Sequence, residues 1–212
     1  MAERKLTPRD EFDKALGERA LQFGVELNEE ARARLGDYFE LVAAWNSRLH
    51  LVAPCPPAEF AARHVLESLT ALPFIPDGAT LLDVGTGAGL PAIPCLAVRY
   101  DLNAVLVEAS QKKSVFLREA LSRLGMSERA RVVAERFEKL EPLAADCLTC
   151  RAIERFTEIL PALVAWAARV PMLLLFGGES LRERLMLEGL LFESVLIPES
   201  ERRFLFVVHR VR

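Results

Sequence analysis

The residues with the clearest chemical potential lie in Thr80–Ala92, Thr-Leu-Leu-Asp-Val-Gly-Thr-Gly-Ala-Gly-Leu-Pro-Ala. Leu81 to Val84 is short, apolar and halted by glycine, which predicts a buried strand. Gly85, Gly87 and Gly89 follow at every second position, then Leu90 and Pro91, and an apolar helical run begins. Proline suits the first turn of a helix, where its missing N–H costs no hydrogen bond. A strand, a glycine turn and a helix start together let backbone approach a ligand closely. A dinucleotide fingerprint, G-x-G-x-x-G, would need its third glycine where this chain has Leu90, so pyrophosphate is not the indicated ligand. Glu108 lies 25 residues beyond Asp83, at the end of the next apolar run. A carboxylate there can accept both hydroxyls of a ribose in charge-assisted hydrogen bonds. Taken singly, the loop also suits a glycine turn in another α/β protein, and Glu108 an ordinary acid at a helix start.

The form G-x-G-x-G, with Asp83 two residues before its first glycine, resembles the S-adenosylmethionine loop of Rossmann-like methyltransferases. S-adenosylmethionine is therefore the expected cofactor, with Asp83, Gly85, Gly87, Leu90 and Glu108 as candidate binding residues. Ala109 and Ser110 sit beside Glu108 and could border the adenine, while Phe137 and Glu138, after the third strand, could border its other side. Arg151 ends the fourth strand, next to where donor and acceptor would meet; it could hold the donor's carboxylate or a nucleotide, or be a surface arginine. The fourth strand is followed by Cys-Arg-Ala and not by the Asn/Asp-Pro-Pro-aromatic motif of exocyclic amino methyltransferases. No cysteine is placed as a nucleophile for pyrimidine C5 chemistry. A ring nitrogen with a free lone pair, such as guanine N7, needs neither a base nor an adduct, so catalysis there is mainly positioning.

The elements that must hold these residues divide into two parts. Helices are predicted over 8–24, from Asn28 through Trp45, and over 58–72, so residues 1–76 read as an N-terminal helical extension packed on the core. Residues 77–212 alternate strand and helix, the signature of a doubly wound, mostly parallel sheet, and form the expected methyltransferase domain. Strands are predicted at 80–84, 103–108, 130–134, 144–150 and 170–176, with helices at 90–99, 111–124, 135–140, 153–168 and 178–189. Two closing strands, 191–197 and 203–210, suit an antiparallel edge hairpin, and the apolar run Phe204 to Val208 predicts a buried final strand.

Composition narrows the classes further. The 212 residues are 51% hydrophobic, enough for a sizeable core, and carry a net charge of −3. That charge argues against indiscriminate nucleic-acid binding but allows a local basic face, either Lys112, Lys113, Arg118 and Arg123 or the tail Arg202, Arg203, His209, Arg210 and Arg212, each of which also reads as a solvated helix or strand edge. No apolar run reaches the ~18 residues of a membrane span, and Met1 to Asp10 has no apolar signal core, so a cytoplasmic protein is expected. Cys147 and Cys150 form a C-x-x-C without a second ligand pair; they read as buried thiols within a strand, and no metal is expected. Without a coiled-coil stripe, a monomer is expected.

The chain also resembles the RsmG family, glucose-inhibited division protein B, from about Tyr38 to Val208. The resemblance rests on Trp45-Asn46, Arg63-His64-Val65-Leu66-Glu67-Ser68, the loop from Asp83 to Pro91, Ile93-Pro94, Lys112-Lys113 with Phe116-Leu117, Glu135-Arg136-Phe137-Glu138 and Cys150-Arg151-Ala152. It implies a Rossmann-like S-adenosylmethionine-dependent enzyme that makes 7-methylguanosine in small-subunit (16S) ribosomal RNA, free or in an assembling particle. It further implies Arg151 as the catalytic-site residue near donor and guanine, with His64, Arg136 and Lys112 toward RNA or in the supporting shell. The chain departs from the family pattern at His50-Leu51-Val52 (usually Asn-Leu-Thr), at Ala92 (usually Gly) and at Glu108 (usually Asp). After the fifth strand, Leu175-Phe176-Gly177 replaces Leu-Lys-Gly. The donor side is thus closer to the pattern than the acceptor side. The alternatives are a diverged enzyme acting on another RNA or a small molecule, and a non-catalytic ribosome-assembly factor.

Overall fold

The computed structural model describes residues 6–151 and 155–210. A seven-stranded sheet has the order β3-β2-β1-β4-β5-β7-β6, with β1 Thr80–Val84, β2 Asn103–Val107, β3 Ala130–Val133, β4 Cys147–Arg151, β5 Met172–Gly177, β6 Phe192–Leu196 and β7 Phe204–His209. The first five pair in parallel, and β7 runs antiparallel to both β5 and β6. The expected fold class and edge hairpin are both present. Because β7 lies inside the sheet, Leu205 to Val208 are at most 1% exposed, as their apolar run requires.

Alternation along β1 sends Leu81 to one face and Leu82 and Val84 to the other, where they join two separate apolar cores. On the first face pack α5 Ala92–Val98 and α6 Gln111–Arg123; on the second, α7 Phe156–Trp166 and α8 Glu179–Leu187.

The N-terminal helices share the first core. In α1 Pro8–Arg19, Thr7 caps through a reciprocal bond with Asp10. The expected single helix over 8–24 is in fact α1 followed by a 3-10 turn, Ala20–Phe23, ended by Gly24 in the left-handed conformation at φ 69°. Asn28 caps α2 Glu29–Leu49 as expected, accepting from the Ala31 N–H. Phe12 of α1 and Phe39 of α2 stack at 4.7 Å, and Phe60 tilts against Phe39 at 5.3 Å. The expected helix over 58–72 is composite: α3 Pro57–Phe60, a π-helical stretch Ala61–Leu66 and α4 Glu67–Leu69. Such widened turns often occur at functional sites, and this one holds the first part of the Arg63–Ser68 motif, which runs on into α4.

One expected helix is absent. Residues 135–140 hold only a 3-10 turn, Phe137–Lys139, with Arg136 and Leu140 extended on either side. A segment this short forms too few hydrogen bonds to offset nucleation. Cys147 and Cys150 lie on β4 as buried thiols. No helix among the described residues is long and apolar enough to cross a membrane.

Candidate active site

In this strand order the chain reverses direction between β1 and β4, and such a switch point opens a crevice at the carboxyl ends of the strands. A cleft of 930 Å³ lies there, lined by Val84 and Gly85 from the end of β1, Glu108 after β2, Glu135 to Glu138 after β3 and Arg151 at the end of β4.

Below the cleft, Asp83 is fully buried and accepts from the Thr86 hydroxyl at 2.6 Å and the Thr149 hydroxyl at 2.8 Å. These bonds pin the glycine loop to β4. Burial pushes the Asp83 carboxyl up to about 7, against the two hydroxyls and the Ala92 backbone bond. Asp83 lines none of the cleft. Buried beneath it, Asp83 supports the loop through the Thr86 and Thr149 hydroxyls.

The loop needs its glycines. Gly87 has φ 58° with only the Gly85 carbonyl within 4 Å of where a Cβ would stand, and Gly89 has φ 92° with Ile93 Cγ1 2.7 Å from such a Cβ. Glu108, 8% exposed, accepts the Gly87 N–H on one carboxylate oxygen at 2.9 Å and the Ser110 N–H on the other at 2.8 Å. Ser110 caps α6, next to the Glu108 that its N–H holds, and is not part of the cleft lining. Gly85, Gly87, Leu90, Ala109, Phe137 and Glu138 all line the cleft. Phe137 is held edge-on against Trp166 at 5.6 Å, and the Trp166 N–H donates to the Leu140 carbonyl at 2.7 Å.

Arg151 lines the cleft at the end of β4 and is bonded within the protein. Its guanidinium donates to the Ser68 hydroxyl at 3.0 Å, Glu67 at 3.0 Å, the His64 carbonyl at 3.4 Å and the Arg63 carbonyl. The Phe176 ring lies 5.8 Å beneath it. Arg151 thus clamps β4 to the π-helical stretch and to α4 while lining the cleft where donor and acceptor were expected to meet. Ala152, the last residue of that motif, lies outside the described residues.

His64 lines the cleft with its ring 5.0 Å from Phe60. Burial, with Arg151 and Arg63 nearby, lowers its pKa to about 4, so the imidazole is neutral at physiological pH. Arg136 also lines the cleft and pairs with Glu138 at 3.0 Å. Lys112 does not line it; Lys113, one residue on, does. A helix turns 100° per residue, so neighbouring lysines face differently and spacing alone does not choose between them.

A wall formed by Leu51, Val52 and Ala53 was not foreseen. Asn46 holds it, accepting the Val52 N–H at 3.0 Å and donating to the Val52 carbonyl at 3.1 Å. The Trp45-Asn46 motif was the available signal. Arg155, Glu158 and Ile159 at the start of α7 complete the opposite side.

Comparison with known proteins now decides the family. A family model described as rRNA small subunit methyltransferase G (GidB) matches residues 31–188. The chain belongs to this rRNA small subunit methyltransferase G family. Ribosomal RNA small subunit methyltransferase G of Sorangium cellulosum is 37% identical over 187 residues, 85% of this chain and 76% of that protein. Its namesake in Neisseria gonorrhoeae is 37% identical over 147 residues, 69% of each chain, and that of Xanthomonas euvesicatoria 43% over 144 residues, 68% of this chain and 66% of that one. Two solved structures share the fold of this methyltransferase G family member. The S-adenosylmethionine-dependent methyltransferase SibL has TM-score 0.59, 15% identity and coverage of 93% and 74%; the METTL16 methyltransferase domain has TM-score 0.58, 13% identity and coverage of 93% and 91%.

Proposed function

We propose that the cleft binds S-adenosylmethionine and that the protein transfers a methyl group to N7 of a guanine in small-subunit (16S) ribosomal RNA. The observation that carries this reading is Glu108, bonded on one oxygen to the loop and on the other to the start of α6, at the switch point of a methyltransferase-family sheet. Each oxygen accepts one N–H, which leaves a lone pair on each for a ribose hydroxyl. The space beside Gly87 permits close approach to the backbone, and the cleft lies within the usual size of ligand sites. The residues present therefore fit the cofactor, which when bound supplies a methyl group on a cationic sulfur.

In this reading Gly85, Gly87 and Leu90 line the donor, Glu108 takes its ribose hydroxyls, and Ala109, Phe137 and Glu138 border the adenine. Asp83 and Ser110 hold the loop and Glu108 in place. Lys113, Arg136 and His64 face the acceptor. Guanine N7 presents a lone pair and carries no proton, so no general base is required, and neutral His64 fits that demand. The residues act by orienting the base and excluding water. Residues 1–76 serve as the helical extension and 77–212 as the catalytic domain of a cytoplasmic monomer.

One feature favours a second reading, an enzyme of the same fold with another acceptor: Phe176 is 5% exposed beneath Arg151 and offers no cation. A single assay separates the two. Purified protein is incubated with labelled donor and with protein-free small- or large-subunit ribosomal RNA, and 7-methylguanosine is located by borohydride reduction and aniline cleavage. Label in small-subunit RNA with one cleavage site supports the first reading. Label without that cleavage, or none in RNA, supports the second.

A further inference from the structure

Two arginines meet the same buried acid, and their donors are used very differently. Arg151 makes four hydrogen bonds inside the protein, one of them to Glu67. Arg203, in the turn before β7, brings Nη2 to 2.7 Å from the other oxygen of Glu67, whose side chain is only 4% exposed. That contact is ionic without hydrogen-bond alignment: Glu67 Oε1 and Arg203 Nε are both buried atoms with no hydrogen-bond partner among the described residues. The ion pair fixes the Arg203 head, and the side chain keeps 36% exposure.

The surroundings carry excess positive charge. Arg63, Arg151 and Arg203 gather near Glu67, while Arg63 also pairs with Glu59 at 2.6 Å: three cations face two carboxylates. His64 and Arg151, both in the cleft wall, feel the Arg203 charge. Arg203 itself lies outside the cleft lining. A ligand that satisfies it must extend past the rim, as a polyanionic strand does and a small donor does not.

We propose that Arg203 binds a backbone phosphate of the acceptor RNA, with Glu67 holding its guanidinium at the rim of the cleft. The proposal rests on the RNA reading above. A guanidinium suits this role because its planar fork matches phosphate oxygens.

The test is filter binding of protein-free small-subunit ribosomal RNA across a range of KCl, for wild type, Arg203→Ala, Arg203→Gln and Arg203→Lys, with donor affinity measured in parallel by calorimetry. One lost phosphate contact on single-stranded RNA should reduce the slope of log K against log salt by about 0.7. Arg203→Ala and Arg203→Gln should show that reduction with donor affinity within about twofold of wild type, as expected for a group outside the donor site. Arg203→Lys should keep the wild-type slope. A purely structural arginine would leave the slope unchanged in every variant, which overturns the proposal while the RNA reading stands. A wild type that binds donor but no RNA overturns both. If alanine disturbs packing, Arg203→Gln retains a polar tip without the charge and is read in the same way.

Discussion

Each oxygen of Glu108 accepts one backbone N–H, from Gly87 and from Ser110, so one side chain sets the spacing between the glycine loop and α6. That pairing was legible in the sequence because loop and acid are separated by a single helix and strand of a βαβ unit. The Arg151 clamp was not, since its partners lie 83 to 88 positions away and only tertiary packing brings them together. His64 belongs to the same clamp and makes a prediction at this scale. Its folded pKa of about 4 lies below the usual 6.5, so the unfolded chain takes up a proton first as pH falls. The His64 contribution to stability is full above about 6.5, declines from there to about 4, and stays lost below. Urea midpoints at pH 7 and 4.5 should draw apart more in wild type than in His64→Gln. An equal pH dependence in the two proteins would mean that His64 is not buried as a neutral ring.

Among the elements, α2 reaches across to the loop: the Tyr38 hydroxyl donates to the Ala88 carbonyl at 2.9 Å in a fully buried contact. Tyr38→Phe leaves that carbonyl without its donor, so an unfolding titration should show a loss of about 1–2 kcal/mol. Donor affinity should fall as well, because the loop loses its brace; unchanged affinity would show that Tyr38 serves stability alone. Strands β1 to β5 and the closing hairpin were readable from short apolar runs between turn residues. Boundaries and short segments were harder to read. The 3-10 turn at Phe137–Lys139 resembles a helix start in composition, and the π-helical stretch has the periodicity of an ordinary helix over so few residues. The 51–53 wall has no periodic pattern at all and depends on one asparagine bonding to backbone.

Across the whole molecule, the N-terminal helices and one face of the sheet form one continuous core, which runs from Phe12 through Leu106 to Val207. The donor site, on the loop that this core supports, is therefore coupled to global stability. Donor at 100 times its dissociation constant should stabilise the protein by about 2.7 kcal/mol, read as a shift of the unfolding midpoint. No shift would favour an assembly factor that keeps the fold without using the site. At this scale the family was legible because its motifs are local. The arrangement of charge around Glu67 was not, because Arg203 comes from the far end of the chain.

The most direct measurement is calorimetric titration of S-adenosylmethionine into wild type and Glu108→Ala. The two ribose bonds to a charged acceptor and the loop tie through Gly87 should together make the variant weaker by about 100-fold, ~3 kcal/mol. Equal affinity in a folded Glu108→Ala would contradict the placement of the donor at the β1–β4 switch point, and with it the account of this cleft as the methyl-transfer site.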